Sequence, residues 1–559
     1  MFSYLAHRRA CYAKQQERRD RIYSLSPVYG TPLSAADKDI LSKPIAGIVS
    51  GVQSGSLQPS DILLAYGKAA LKAHAATNCL TEVLLPEAEE WAKNCNTKGP
   101  LAGMPVSLKD ENSVAGFDAS VGYSAWVGKK MQRDSALVKV LRAAGAVPYV
   151  KTNVPITMLS FECANEVFGT TTNPHGKDFA PGGSSGGEAA LLAFGGSRSI
   201  LSLHVWRADG QSLGDRHYSG TYTIKASSYR FLKTGNAHTS IPGEEGVPVS
   251  FSPMTRTLED LETFWKAIMS MKPWDYDHAV LPIPWRKIDL SSQKGIRWGV
   301  MWDDGVAAPS PACHRALHTV AKALEAHGHQ VIPVSPPSPY EGLKIAAQLL
   351  MADGCKLCIE PIRTGEFNDP GVREALGMFR APRIIKKLYA WYLRYIKRDP
   401  LYAGLVEAWS EKTVPEYLAL VSQREAYRER WFEFMNEQGL DFILTVPNSL
   451  PAVPHGGMKE GWKACGYTFL WNLLDYTGGI LPVTHVDRAR DALGASKARN
   501  AIEAGQNRMY DADRMHGLPV GVQVVGRRLQ EEKVLEAMKI IHKLLSEEGK
   551  PYIPLSIPE

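Results

Sequence analysis

Four glycines flank two serines in Pro181-Gly182-Gly183-Ser184-Ser185-Gly186-Gly187-Glu188, and the helix-forming run Ala189-Ala190-Leu191-Leu192 follows at once. Glycine on both sides lets the backbone come close to a ligand, so a serine held there can meet a reacting atom. Ser185 and Glu188 have the S-x-x-E spacing of a capping box, which makes Ser185 the predicted helix start and leaves Ser184 for chemistry. A Gly-rich turn before a helix also suits an anion, but this one lacks the G-K-[ST] ending of a nucleotide phosphate loop. A hydrolase site and a purely structural turn are the readings that remain.

A base for such a serine stands 75 positions earlier. Lys109 ends the apolar run Leu101-Ala102-Gly103-Met104-Pro105-Val106-Ser107-Leu108. A lysine at the end of a buried strand is costly unless neutral or paired, and burial of an amine is how a lysine comes to act as a base near neutral pH. The alternative is a lysine at a strand end facing water.

These residues need elements to hold them. The run ending at Lys109 reads as a buried strand, 135–144 as an amphipathic helix stopped by Gly145, and 146–151 as the next strand. Strand, helix, strand in that order predicts a right-handed crossover in an α/β sheet. The unit recurs as 296–301, 313–327 and 330–334, and a late strand at 518–526 precedes a helix at 531–545. Residues 1–75 read as a helical extension with polar faces, including a basic, solvated first helix, an onset at 35–41 and a capped amphipathic helix from Ser60 to about 75. The remainder, 76–559, forms one domain. No period of 20 to 50 residues is present, so solenoids are excluded.

Composition bounds the rest. With 559 residues, 44% of them hydrophobic and 22% charged, the chain can bury a large core. A net charge of +6 from 64 basic and 58 acidic residues gives no footprint for nucleic acid. Eight irregularly spaced cysteines fit a reducing compartment, and the single C-x-x-C, Cys355 to Cys358, lacks the second pair or histidines that zinc requires. The first apolar stretch is too short for a signal peptide and no run reaches the length of a spanning helix, so a cytoplasmic protein is expected. The stretch 383–398 is basic, aromatic and amphipathic, a pattern suited to peripheral membrane contact as well as to packing on a core.

The run through Lys109-Asp110, Lys151-Thr152-Asn153-Val154-Pro155 and the Gly-Gly-Ser184-Ser185-Gly-Gly segment together resemble the amidase-signature family, in particular its fungal acetamidase and fatty-acid-amide-hydrolase branch. The likeness continues through Ser252 to Leu261, Met301 to Val306, Leu473 to Tyr476 and Gly517 to Gly521, nearly the whole chain. It implies one large α/β domain, a mixed twisted sheet covered by helices on both faces, with no metal or organic cofactor. It also implies hydrolysis of a small-molecule amide through a Ser–Ser–Lys relay, and a homodimer is a further candidate. By the same resemblance Lys109 is the terminal base, Ser184 the bridging serine held by a cis peptide bond after Gly183, and Met158 lines the substrate site through its backbone.

The family then continues G-T-D-[IV]-[GA]-G-S, whose serine is the nucleophile and whose backbone N–H groups form the oxyanion hole. Here the chain departs from the pattern between 198 and 216 and resumes it at His217-Tyr218-Ser219-Gly220. Asp209, Gly210, Ser212 and Leu213 keep the family's order, with Gln211 where a glycine belongs. The resemblance therefore makes Ser212 the candidate nucleophile and Asp209, Gly210 and Gln211 the candidate substrate-binding backbone. An intact pattern on both sides of a scrambled stretch points to a compensated frameshift or a misplaced splice boundary in the coding sequence; if the residues stand, a catalytically impaired protein follows.

Overall fold

The computed structural model describes residues 2–204, 217–237, 243, 245–495 and 497–557, and of 200–204 the backbone alone. Ser212, Asp209, Gly210 and Gln211 lie outside the described residues.

The apolar runs become strands β1 (Leu80–Val83), β2 (Pro105–Lys109), β3 (Val147–Thr152), β4 (Ala164–Asn165), β5 (Gly169–Thr170), β6 (Ser199–His204), β7 (Tyr222–Lys225), β8 (Ser250–Thr255), β9 (Arg297–Val300), β10 (Gln330–Pro333), β11 (Phe442–Thr445), β12 (Thr477–His485) and β13 (Pro519–Gly526). Eleven of the described strands form one sheet in the order β1-β3-β2-β6-β8-β7-β12-β13-β11-β9-β10. Pairing is mixed: β3, β2 and β6 run parallel, as do β11, β9 and β10, and the strands between them alternate. Successive residues of β2, β3 and β13 are all buried, which requires cover on both faces of the sheet.

The N-terminal helices are α1 (Phe2–Tyr23), α2 (Ala35–Ser42), α3 (Ile45–Ser54) and α4 (Pro59–Thr77), followed by α5 (Leu85–Lys93), α6 (Ala136–Ala143) and α7 (Gly186–Phe194). The predicted crossover is β2–α6–β3, with Ser135 accepting the Val138 N–H as N-cap. The second unit is β9, the helix Pro311–Ala326 and β10, again parallel neighbours.

Two expectations at the N-terminus are corrected. The basic residues of α1 are not all solvated: Arg18 Nη1 donates to Leu80 O at 2.7 Å, Arg21 Nε to Val83 O at 2.7 Å, and Lys14 is buried. β1 is an edge strand with unpaired carbonyls, and guanidinium groups satisfy them while their stems cover the edge. Helix α4 starts without a side-chain cap; Gln58 stands at the N-cap and Pro59, whose missing N–H costs nothing there, begins the first turn. Ile62, Leu63, Tyr66, Ala70 and Ala73 of α4 are fully enclosed, so this helix is built into the core.

Candidate active site

Lys109 is the last residue of β2, inside the sheet, with Lys109 opposite Thr152 on β3 and Leu108 opposite Leu201 on β6. Strands on both sides leave its side chain completely buried. Its Nζ donates to Ser184 Oγ at 2.8 Å and lies 3.4 Å from Glu111 Oε1. The expected lysine and the expected bridging serine are thus brought together across 75 residues of sequence.

The Gly-rich turn reaches this position because its glycines admit neighbouring backbone. A Cβ on Gly183 would lie 1.9 Å from Ser160 O, and one on Gly187 would lie 2.3 Å from Asn153 N. The Gly183–Ser184 peptide is cis, as the resemblance implied. Ser185 stands at the N-cap of α7, as predicted, but its side chain makes no capping bond. Glu188 explains why the capping box does not form: its carboxylate turns into the core, accepting from Thr152 Oγ1 at 2.5 Å and from Ser107 Oγ at 3.1 Å. Ser107 and Ser197 hydroxyls meet at 3.1 Å, extending the network to two residues before β6. Burial raises the Glu188 carboxyl from its ordinary 4.5 to about 8, against the pull of its hydroxyl donors and of Lys109. Sequence reasoning missed this inner shell, and the available signal was a lone Glu in a helix otherwise apolar all round.

Asp110, next to the lysine, is a second buried carboxylate. Its Oδ1 accepts from Thr81 Oγ1 at 2.8 Å, and its Oδ2 accepts from Val121 N at 2.7 Å and Ser120 Oγ at 3.1 Å. Met158 is buried and, like Thr157, holds a left-handed backbone, with φ of 56° and 69° respectively. Two such non-glycine residues in succession are strained. Their loop continues into Ser160 and Phe161, which pack on Gly183, while Ser160 Oγ donates to Asp369 Oδ2 at 2.6 Å.

The flanks of the departing segment converge on the same place. β6 runs beside β2, in the same direction, and its last residue His204 lies three places beyond Leu201, the partner of Leu108. The chain is described again from His217, and Ser219 Oγ donates to Pro181 O at 2.7 Å. Among the described residues no three His, Cys, Asp or Glu side chains gather to hold a metal ion. A surface groove of about 330 Å³ lined by Leu290, Lys294, His327, Lys539 and Leu544 lies at the helix Glu531–Glu547, and the Lys109–Ser184 pair is not part of it.

A wide mixed sheet that sets a buried lysine against a cis Gly-Ser turn matches what the amidase-signature resemblance implied, and comparison with known proteins agrees. The chain belongs to the amidase family, hydrolases of carboxylic amide C–N bonds; the family model matches residues 61–199 and 217–535. It is 33% identical over 534 residues to the acetamidase of Emericella nidulans, covering 92% of this chain and 91% of that protein. It is 32% identical to fatty-acid amide hydrolase 1 of Sus scrofa, covering 92% and 87%. A solved fatty acid amide hydrolase superposes with a TM-score of 0.82 at 25% identity, over 96% of this chain and 94% of that one.

Proposed function

We propose that the chain hydrolyses a carboxylic amide to a carboxylate and ammonia or an amine through a Ser–Ser–Lys relay, with Lys109 as terminal base, Ser184 as bridge and Ser212 as nucleophile. The observation that carries this reading is the buried 2.8 Å contact between Lys109 Nζ and Ser184 Oγ. The Ser184 proton passes to the Lys109 amine as Ser184 takes the proton of Ser212, and the Ser212 oxygen bonds to the amide carbonyl carbon. Backbone N–H groups around Asp209, Gly210 and Gln211 supply the oxyanion donors, each worth roughly 3–4 kcal/mol in better-studied hydrolases. The C–N bond breaks and the relayed proton leaves with the nitrogen; water, deprotonated through the same relay, then splits the acyl-enzyme and releases the acid. Support for Ser212 comes from its flanks, since β6 runs beside β2 and Ser219 is bonded to the Gly-rich turn.

Lys109→Ala is expected to abolish turnover at neutral pH while leaving the fold intact, and comparable activity in that variant would end the assignment. Labelling with a fluorophosphonate, followed by mapping of the adduct, tests the nucleophile; an adduct on Ser202 or Ser219 would displace Ser212. Because the relatives include an acetamidase and a fatty-acid amide hydrolase, the assay pairs acetamide with a long-chain primary amide.

One observation favours a second reading, a catalytically impaired protein on the same fold. The family match stops at 199 and resumes at 217, so the stretch holding Ser212 has no family counterpart. The enzyme labels with fluorophosphonate and the impaired scaffold does not. Reading the transcript across these codons separates a true sequence from a frameshift. No helix among the described residues is long and apolar enough to cross a membrane.

Peripheral membrane contact through 383–398 completes the reading. In the helix Arg383–Tyr395 the buried residues are Lys386, Ala390 and Leu393, whereas Ile384, Leu388 and Trp391 are 69%, 65% and 55% exposed. An apolar face turned outward with Lys387 and Lys397 beside it fits the surface of an anionic bilayer.

A further inference from the structure

We infer that Lys14, on the N-terminal helix, is a positioning residue for Lys109, acting through the buried carboxylates of Glu82, Asp118 and Asp110. The inference rests on Lys109 being the base proposed above.

Lys14 Nζ forms an ion pair with Glu82 Oε1 and lies 3.0 Å from Asp118 Oδ2. The Asp118 carbonyl accepts from Lys151 Nζ at 2.5 Å, and the same ammonium lies 3.8 Å from Asp110 Oδ1. Asp110 in turn accepts the Val121 N–H and the hydroxyls of Thr81 and Ser120, and its own N–H donates to Thr152 O at 3.0 Å. These bonds hold the backbone leaving Lys109. Two buried lysines therefore face three buried carboxylates, and Lys14 also pairs at 3.0 Å with the exposed Glu17 one turn along its own helix. Burial raises the Glu82 carboxyl from 4.5 to about 7, against the pull of Lys14 and Lys151.

Lys14 is not needed to attach its helix, because Arg18 and Arg21 already bind the carbonyls of Leu80 and Val83. Its burial serves the carboxylates instead. Without it Lys151 alone must answer all three, and taking one partner from a buried ionic cluster leaves an uncompensated charge. Lys151 then moves toward Glu82 and Asp118 and loosens Asp110, which displaces the amine one residue before it. Lys14 lies outside the span matched by the family model, whereas Glu82, Asp110, Asp118 and Lys151 lie inside it, so the N-terminal helix adds a cation to a cluster of matched residues.

The test compares Lys14→Met, Lys14→Arg and the double variant Lys14→Met/Glu82→Gln with Lys109→Ala in the full chain. A displaced base loses turnover and not binding, so Lys14→Met should lower kcat about tenfold or more with KM within about twofold. Lys14→Arg, which keeps the charge, should recover most of the loss, and so should the double variant, which removes the opposite charge. Amide exchange at Val121, which donates to Asp110, should quicken in Lys14→Met and return in the other two; this readout needs no turnover. An unchanged kcat or an unchanged Val121 exchange in Lys14→Met overturns the inference, as does a folded double variant that stays as slow as Lys14→Met. If Lys14→Met does not fold, the double variant decides by the same two readouts against the wild type. Activity surviving in Lys109→Ala would instead strike the relay itself.

Discussion

Glu188 illustrates how a single side chain can read one way in sequence and act another way in the fold. Spacing offers it to the helix N-terminus, yet the two hydroxyls of Thr152 and Ser107 and the nearby lysine draw it inward. Its folded carboxyl is raised from 4.5 to about 8, so the folded state holds this proton where the unfolded chain has lost it. The resulting stability is fully present below pH 4.5 and is lost as pH rises through about 8. Glu188→Gln, which cannot ionise, should gain stability relative to the wild type across that interval, with the difference levelling off above it; urea unfolding at a series of pH values measures this. Gly187→Ala puts a Cβ 2.3 Å from Asn153 N and 2.6 Å from Cys79 O, both backbone atoms that cannot swing away. It should destabilise the fold by about 3 kcal/mol in chemical denaturation, and an unchanged midpoint would show that α7 can shift to make room.

At the scale of elements, two basic helices have opposite fates. α1 is basic and reads as solvated, but an edge strand with open carbonyls gives its cations partners, so the helix covers β1. The helix Arg383–Tyr395 reads as packed by one face on the core with the other solvated, or as membrane-facing, and its apolar residues stay outside because its buried stripe is only Lys386, Ala390 and Leu393 wide. Lys386 Nζ donates to Trp409 O at 2.6 Å there, which fixes the helix by a polar contact and leaves the isoleucines, Leu388 and Trp391 to solvent. Replacing Leu388 and Trp391 by Glu should leave the unfolding midpoint within about 1 kcal/mol of wild type, because neither is buried. The same pair of changes should abolish flotation with vesicles containing anionic lipid. Retained flotation would move the contact to another surface.

At the scale of the whole molecule, the C-terminal tail ties together places far apart in sequence. The Tyr552 ring stacks on His485 at 4.9 Å, and its Oη sits 2.0 Å from where a Gly220 Cβ would be. Ile557 packs in the same way on Gly195, while Arg256 donates to Leu192 O at 3.3 Å, to Ala193 O at 3.1 Å and to Leu555 O. The tail therefore braces the end of α7 and both approaches to the departing segment. Removing residues 551–559 should cost about 3 kcal/mol of stability, as the loss of a buried aromatic does elsewhere, and should slow fluorophosphonate labelling. Labelling at the wild-type rate would limit the tail to a role in stability.

Legibility followed the range of the interactions. The strand, helix, strand units and the termination of β2 at Lys109 could be read from apolar runs and glycine stops, since those are local consequences of backbone sterics and burial. A hydrolase site could also be read early, because Lys109 and the Gly-Gly-Ser-Ser turn are short motifs whose chemistry is carried by residue type, and the amide substrate followed from their resemblance to the amidase-signature family. Which hydroxyl the lysine meets, which carboxylates lie beside it, and that Lys14 pairs with Glu82 and Asp118 could be decided only by the folded chain. Apart from the Lys109–Glu111 pair, each of those contacts joins residues separated by tens of positions, and burial, which sets their strength, is a property of the packed sheet and not of any segment.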